Sequence, residues 1–88
     1  MAAVFTFRNT HDAITGERRL LDGGVKVVVM TLPASLGAGC GLCLRVARTE
    51  LDCSRRLLKE AAIEPQAVYA AVSENGQTFY NPLIEPAN

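Results

Sequence analysis

The chain has 88 residues, of which nine are basic and nine acidic, and 49% of the residues are hydrophobic. This length allows a single domain with a core, and the balanced charge disfavours a nucleic-acid partner, which would require a basic surface. The apolar run of residues 27–30 is too short to cross a membrane. Residues 1–7 lack the basic leader of a signal peptide and three cysteines provide no disulfide framework, so we expect a cytoplasmic location.

The first part of the chain predicts a strand, a helix and a second strand. Residues 3–8 alternate between two sets of side chains, as in a half-buried strand. Asn9 and Thr10 offer N-cap oxygens for a helix that ends at the glycine pair 23–24, and residues 25–31 form the second strand. The helix is predicted to bury one apolar stripe, formed by Ala13, Ile14, Leu20 and Leu21.

The second part of the chain repeats this order. Residues 41–47 alternate as a third strand. Thr49, with Asp52 three residues later, resembles a capping box for a second helix that ends near residue 62. A fourth strand is predicted over residues 66–72.

The order β-α-β-β-α-β matches the ferredoxin-like arrangement, an α+β two-layer sandwich. Right-handed crossovers make the first and second strands parallel, with the third strand between them and the fourth at the edge. Both helices then cover the face of the sheet that carries Phe5, Val27, Leu42 and Val68. The other face is expected to be open and to carry Val4, Val28, Met30, Cys43 and Tyr69. A face this apolar indicates a partner, most simply a second copy in a homodimer.

We divide the chain into a ferredoxin-like domain, residues 1–72, and a C-terminal tail, residues 73–88. Asn75 and Gly76 indicate a turn in the tail, and two prolines at positions 82 and 86 discourage regular structure. The tail is therefore predicted to be irregular, either folding back as a hairpin or extending away from the domain.

Cys40 is the strongest candidate for chemistry, because it lies in the glycine-rich turn of residues 37–41. The topology places this turn beside the start of the first helix, where free N–H groups and the helix dipole stabilise a thiolate. His11 assists if it points inward, and the flanking Gly39 and Gly41 leave backbone amides free to hold an anion. The alternative is a structural cysteine, since Cys40 shares the helix-covered side of its strand with Leu42.

The other cysteines are weaker candidates. Cys40 and Cys43 have C-x-x-C spacing, but an odd separation in a strand directs them to opposite faces, so we expect no disulfide between them. Cys53 lies on the second helix and is predicted to be partly buried and inert. One C-x-x-C pair and one histidine supply at most three ligands, so no metal site is predicted.

Three charged residues are further candidates for a functional site. Glu17 falls inside the apolar stripe of the first helix, where it either pairs with Lys26 or Arg45 or acts as a site residue. Arg8 and Arg45 are candidates for contacts with an anion.

Several short motifs in a fixed order carry a family resemblance: Phe5-Thr6-Phe7, Thr10-His11, Ala13, Glu17, Leu21, Leu32-Pro33 and Cys40-Gly41-Leu42 with Leu44-Arg45. Through these motifs the chain resembles, over residues 4–72, the putative selenium/sulfur carrier protein-like family of small bacterial proteins. The resemblance implies that the Cys40 thiolate accepts sulfur or selenium as a persulfide or selenopersulfide and delivers it to an acceptor protein. Thr10, His11 and the backbone of residues 39–41 would stabilise the charged sulfur. The family pattern requires neither Cys43 nor the tail.

Two other functions compete with a carrier. The first is a ferredoxin-like dimeric binding module in which Cys40 is structural. The second is a turnover enzyme, which is less favoured because the sequence contains no convincing acid/base pair, phosphate loop or cofactor motif. We therefore expect no cofactor, and we expect donor and acceptor proteins as partners.

Overall fold

Five strands and two helices account for most of residues 1–37 and 40–84, which are the residues that the computed structural model describes. The architecture is mixed α/β, with one antiparallel sheet. The strands are β1 (Ala2–Thr6), β2 (Val27–Thr31), β3 (Leu42–Ala47), β4 (Ala67–Glu74) and β5 (Gln77–Ile84). The helices are α1 (Thr10–Asp22) and α2 (Leu51–Glu60), with single 3-10 turns at Ala34–Leu36 and Arg48–Glu50. Neither α1 nor α2 has the length and apolar character of a membrane-spanning helix.

The sheet has the strand order β2-β3-β1-β4-β5. β3 pairs antiparallel with both β1 and β2, which confirms the prediction that the third strand lies between the first two. The prediction that the fourth strand is an edge is wrong, because β5 pairs with β4 from Glu74 to Val68.

The segment after β4 is a strand over residues 77–84. The prediction of an irregular tail is therefore wrong, whereas its hairpin alternative is confirmed. The Asn75-Gly76 turn is confirmed, with positive φ at both residues (52° and 79°), the geometry that reverses a tight hairpin. Pro82 does not prevent pairing, because an edge strand tolerates a residue that cannot donate to the ladder. Residues 85–88 lie outside the described residues.

Helix α1 begins and ends at the predicted signals. The Asn9 side chain accepts a hydrogen bond from the Asp12 N–H at 2.8 Å, and the Gly23 N–H returns to the Arg19 carbonyl at 3.1 Å. Its buried face is formed by Ala13, Gly16 and Leu20.

The predicted burial of Ile14 and Leu21 is wrong, because they are 55% and 50% exposed. Gly16 explains the orientation of α1: a Cβ at this position would lie 3.2 Å from the side chain of Leu58 on α2, so the missing side chain allows the two helices to approach closely. Residues 13, 16 and 20 therefore face the core, and the side chains of Ile14 and Leu21 lie on an exposed side of the helix.

The main core lies between the helices and one face of the sheet. Phe5 and Val68 are buried there, and Val27 and Leu42 pack against them while partly exposed, which confirms the side of each strand that the helices cover. The other buried members are Ala3, Phe7, Ala13, Leu20, Val25, Leu44, Val46, Leu58 and Ile63.

The opposite face of the sheet is also covered, contrary to the predicted open face. Val4 and Cys43 are fully buried and Tyr69 is 7% exposed, whereas Val28 is exposed. Ala2, Val4, Cys43 and Ala71 form a second buried cluster on this face. Apolar side chains of β2, of the β2–β3 connection and of β5 pack against it: Met30, Leu32, Leu36 and Tyr80. The β2–β3 connection and β5 thus supply the cover that a second layer of helices would otherwise provide.

Helix α2 lacks the predicted capping box. A 3-10 turn at Arg48–Glu50 precedes the helix, and its N-cap residue, Glu50, makes no side-chain capping bond. Thr49 lies inside that turn, one residue before the N-cap position, so its hydroxyl cannot act as the cap. Ser54 and Leu58 form the buried face of the helix.

Candidate functional site

Cys40 lies where three segments meet at the end of β1. Its backbone N–H donates to the carbonyl of Phe7 at 3.4 Å, two residues before the N-cap Asn9. On the other side of β1, the Gln66 N–H donates to the Thr6 carbonyl at 2.7 Å. These bonds hold the cysteine turn, the entry to α1 and the start of β4 at one end of the sheet.

The Cys40 side chain is half-buried and carries a free thiol. It packs against the helix-side core, and its Sγ donates to the Leu42 carbonyl at 3.4 Å. Cys40 therefore lies on the helix-covered side of the sheet, as its strand parity predicts, but part of the side chain is accessible to a reactant.

The first turn of α1 presents unused hydrogen-bond donors. Asp12 N–H is taken by the Asn9 side chain and Ala13 N–H by the Asn9 carbonyl at 3.3 Å. Within residues 1–37 and 40–84, no acceptor meets the backbone N–H of Thr10 or His11, and both side chains are exposed. Free N–H groups at a helix N-terminus favour a negative charge placed near them.

The predictions for the two glycines that flank Cys40 have different outcomes. Gly41 has φ of +85°, a conformation that L side chains rarely adopt, and its carbonyl accepts from the Leu32 N–H at 2.8 Å. No atom of the described residues would lie within 4 Å of a Cβ at Gly41, so it is the backbone geometry that favours glycine there. Gly39, predicted to hold an anion through its backbone, lies outside the described residues.

Arg45 is not brought together with Cys40. The register pairs Arg45 with Val4 on β1 and with Val28 on β2, so its exposed side chain lies on the second face of the sheet, whereas Cys40 packs on the helix-covered face. Arg8, two residues before α1, is also exposed.

Glu17 is half-buried on α1. Among the described residues it forms no ion pair with Lys26 or Arg45, and the position of Arg45 across the sheet excludes a direct contact with that residue.

Cys43 is a buried thiol on the opposite face from Cys40, as the strand parity predicts. Burial, with a smaller contribution from the nearby charge of Cys40, raises the pKa of Cys43 to about 11. Its Sγ lies 3.9 Å from the Thr31 carbonyl, and all three cysteines are free thiols. A thiol with these properties is a poor nucleophile near neutral pH.

Cys53 is half-buried on α2 and packs against the core, with Nη2 of Arg56 3.7 Å from its Sγ. Across residues 1–37 and 40–84, no three His, Cys, Asp or Glu side chains form a group able to hold a metal ion.

An open groove of about 850 Å³ lies apart from Cys40, between α2 and the β4–β5 end of the sheet. Its walls combine basic and acidic side chains of α2 with an apolar floor that includes Ile63, Val68 and Ile84. The groove was not indicated by any motif, because its lining combines residues 52–68 with Ile84 of β5, which is paired beside them only in the folded sheet.

The comparison with known families identifies the chain. A sequence model of the family described as "Putative Se/S carrier protein-like" matches residues 2–70 of the 88 residues. The chain belongs to this family. The match runs from β1 into β4, includes Cys40 and the start of α1, and stops before β5. No curated protein matches the chain.

Proposed function

We propose that this member of the family carries a sulfur or selenium atom on Cys40 and passes it to an acceptor protein. The observation that supports this most directly is the hydrogen bond from Cys40 N–H to the Phe7 carbonyl, which keeps a free, half-buried thiol beside the entry to α1. The description of the family names the atoms that would be carried, selenium or sulfur.

Loading is a thiol exchange. The Cys40 thiolate attacks the terminal sulfur of a donor persulfide, R–S–SH; a new S–S bond forms to Cys40, and the donor's S–S bond breaks. The donor leaves as the thiolate R–S⁻, so no external oxidant or reductant is consumed. Unloading repeats this exchange with an acceptor thiolate, and a selenopersulfide donor delivers selenium by the same exchange.

Ionisation of Cys40 requires a change of hydrogen-bond partner. The neutral thiol donates to the Leu42 carbonyl, and a thiolate has no proton for this bond. We infer that the ionised sulfur turns toward the first turn of α1, where the N–H groups of Thr10 and His11 and the Thr10 hydroxyl supply donors. Gly41 has no side chain that would obstruct the approach of a bulky sulfur-donating protein to Cys40.

We extend the proposal to the fold, the cellular location and the partners, each on its own observation. We infer a ferredoxin-like domain, since the first four strands have the order and directions of that arrangement. Three free thiols favour a reducing, cytoplasmic compartment. The partners are a donor and an acceptor protein, each presenting its own reactive sulfur or selenium to Cys40.

Mass spectrometry after incubation with a cysteine desulfurase and cysteine tests the carrier function. We expect the wild type to gain one sulfur atom, and Cys53→Ser to gain it as well, because Cys53 is a half-buried cysteine outside the site. Cys40→Ser should gain none. An unmodified wild type, or an equal gain on Cys40→Ser, would contradict the proposal.

A binding module with a structural Cys40 is the second candidate. It is supported by the packing of Cys40 against the core and by its bond to the Leu42 carbonyl. This function predicts that Cys40→Ala lowers the stability of the domain while partner binding persists. The carrier function predicts that the same variant loses sulfur transfer even where the domain remains folded.

A further inference from the structure

A stripe of four residues runs along one side of α1: Ile14, Glu17, Arg18 and Leu21. We call it the α1 stripe. Its spacing of three, four and seven residues places all four side chains on one helix face. Both apolar ends are half-exposed, at 55% for Ile14 and 50% for Leu21, which is unusual for large aliphatic side chains on the same face of one helix.

The α1 stripe lies on the side of α1 that faces away from α2. On the other side, Gly16 and Gly23 approach Leu58 and Leu57 of α2. Helix α1 packs on β2 and β3, and β2 is the edge of the sheet. The stripe therefore borders the β2 edge.

The β2 edge is itself apolar and unprotected. Its sequence, VVVMT, contains no charge and no proline, and Val28 and Val29 are 58% and 38% exposed. The opposite edge, β5, contains Pro82, and a register shift interrupts its pairing with β4. Natural sheets use such features to prevent edge-to-edge pairing, and β2 has none of them.

Backbone groups along β2 are available for pairing. The Leu32 N–H bonds to the Gly41 carbonyl, and the hydrogen bonds of an antiparallel pair involve alternate residues. This alternation directs the N–H and C=O groups of Val27 and Val29 away from β3, toward the free edge.

We propose that a second copy of this chain binds here across a two-fold axis, with the two α1 stripes antiparallel and the two β2 edges adjacent. The axis passes between positions 17 and 18 of the helices. Ile14 then meets the partner's Leu21, and Glu17 meets the partner's Arg18. Both pairs are centred on the same point, so one symmetry operation satisfies the apolar and the charged contacts together.

This arrangement gives Glu17 a partner. Its carboxylate has no ion-pair partner among the described residues of its own chain, although it lies half-buried between two aliphatic side chains. The proposal does not rest on the carrier function, because none of its residues belongs to the Cys40 site.

Charge reversal on the α1 stripe, followed by sedimentation equilibrium, tests the proposal. Wild type should dimerise within the micromolar range. Glu17→Arg places two arginines opposite each other and Arg18→Glu two carboxylates, so each variant should dimerise roughly tenfold or more weakly. The double variant Glu17→Arg/Arg18→Glu restores opposite charges and should return close to the wild-type dissociation constant.

Arg19→Glu is the matched control, since it makes the same change one residue away, on an exposed position outside the stripe. It should leave the dimer unchanged, and circular dichroism should show that all variants remain folded. A monomeric wild type at several hundred micromolar would overturn the proposal. So would a double variant that stays as weak as the single variants.

Discussion

Cys43 should resist alkylation in the folded protein far longer than Cys40. The perturbation is exposure of the native protein to iodoacetamide at a series of pH values, with the modified fraction of each cysteine measured by peptide mass spectrometry. The structural reason is that Cys43 is fully buried and its pKa is raised to about 11, whereas Cys40 is half-buried in the turn at the end of β1.

The magnitude follows from the pKa of Cys43. A rise from 9.0 to about 11 lowers the thiolate fraction near neutral pH about a hundredfold, because each unit is a factor of ten in the ionised population. Burial of the sulfur slows the reaction further. We therefore expect Cys43 to react at least about a hundred times more slowly in the folded protein than in urea, with a rate that keeps rising with pH up to about 11.

The three cysteines serve as controls for one another. In urea all three should react at similar rates, and Cys40→Ser should lower the pKa of Cys43, because the charge of Cys40 is one of the causes that raise it. If Cys43 in the folded protein reacts within threefold of its rate in urea near neutral pH, the argument from burial is refuted.

Three further predictions concern stability. Ser54→Ala should raise the free energy of unfolding by about 1–2 kcal/mol, because the Ser54 hydroxyl is buried with no hydrogen-bond partner in the described part of the chain and alanine favours the helix; a destabilised variant in urea unfolding would contradict this. Gly41→Ala should cost about 1–2 kcal/mol because of its φ of +85°. Gly24→Ala, with the same φ, should cost a similar amount and leave the alkylation rate of Cys40 unchanged; a Gly41→Ala protein as stable as wild type would show that the turn does not need this geometry. The third prediction is pH-dependent: between pH 9 and about 11 unfolded Cys43 loses its proton while folded Cys43 keeps it, so the free energy of unfolding should fall as the pH rises, by up to about 2.7 kcal/mol. Urea unfolding of Cys43→Ala should lack this part of the decline, and equal slopes for the two proteins would contradict the prediction.

The strands and helices of the domain could be predicted from local sequence patterns. Alternation located β1 and β3, the Asn9 side chain caps α1, and Gly23 ends it. These features depend on interactions within a few residues, which is why a single sequence contains enough information to predict them. The same holds for the separation of Cys40 and Cys43 onto opposite faces, which follows from strand parity alone.

The errors share one physical cause, which is packing between distant segments. Ile14 and Leu21 have the same helical spacing as the buried residues of α1, and only the close approach of α2 at Gly16 decides which stripe faces inward. Similarly, the cluster that contains Val4 and Cys43 is covered by side chains such as Leu36 and Tyr80, whose positions depend on the β2–β3 connection and on β5.

The sequence by itself determined the order of the strands and helices in the first 72 residues, the identity of the candidate cysteine, and a family resemblance that the match over residues 2–70 confirms. Tertiary structure alone decided that β5 forms an edge and that the second sheet face is covered. Local signals act through the backbone and nearest neighbours, whereas a site and a covered face require the simultaneous positions of segments that are far apart along the chain.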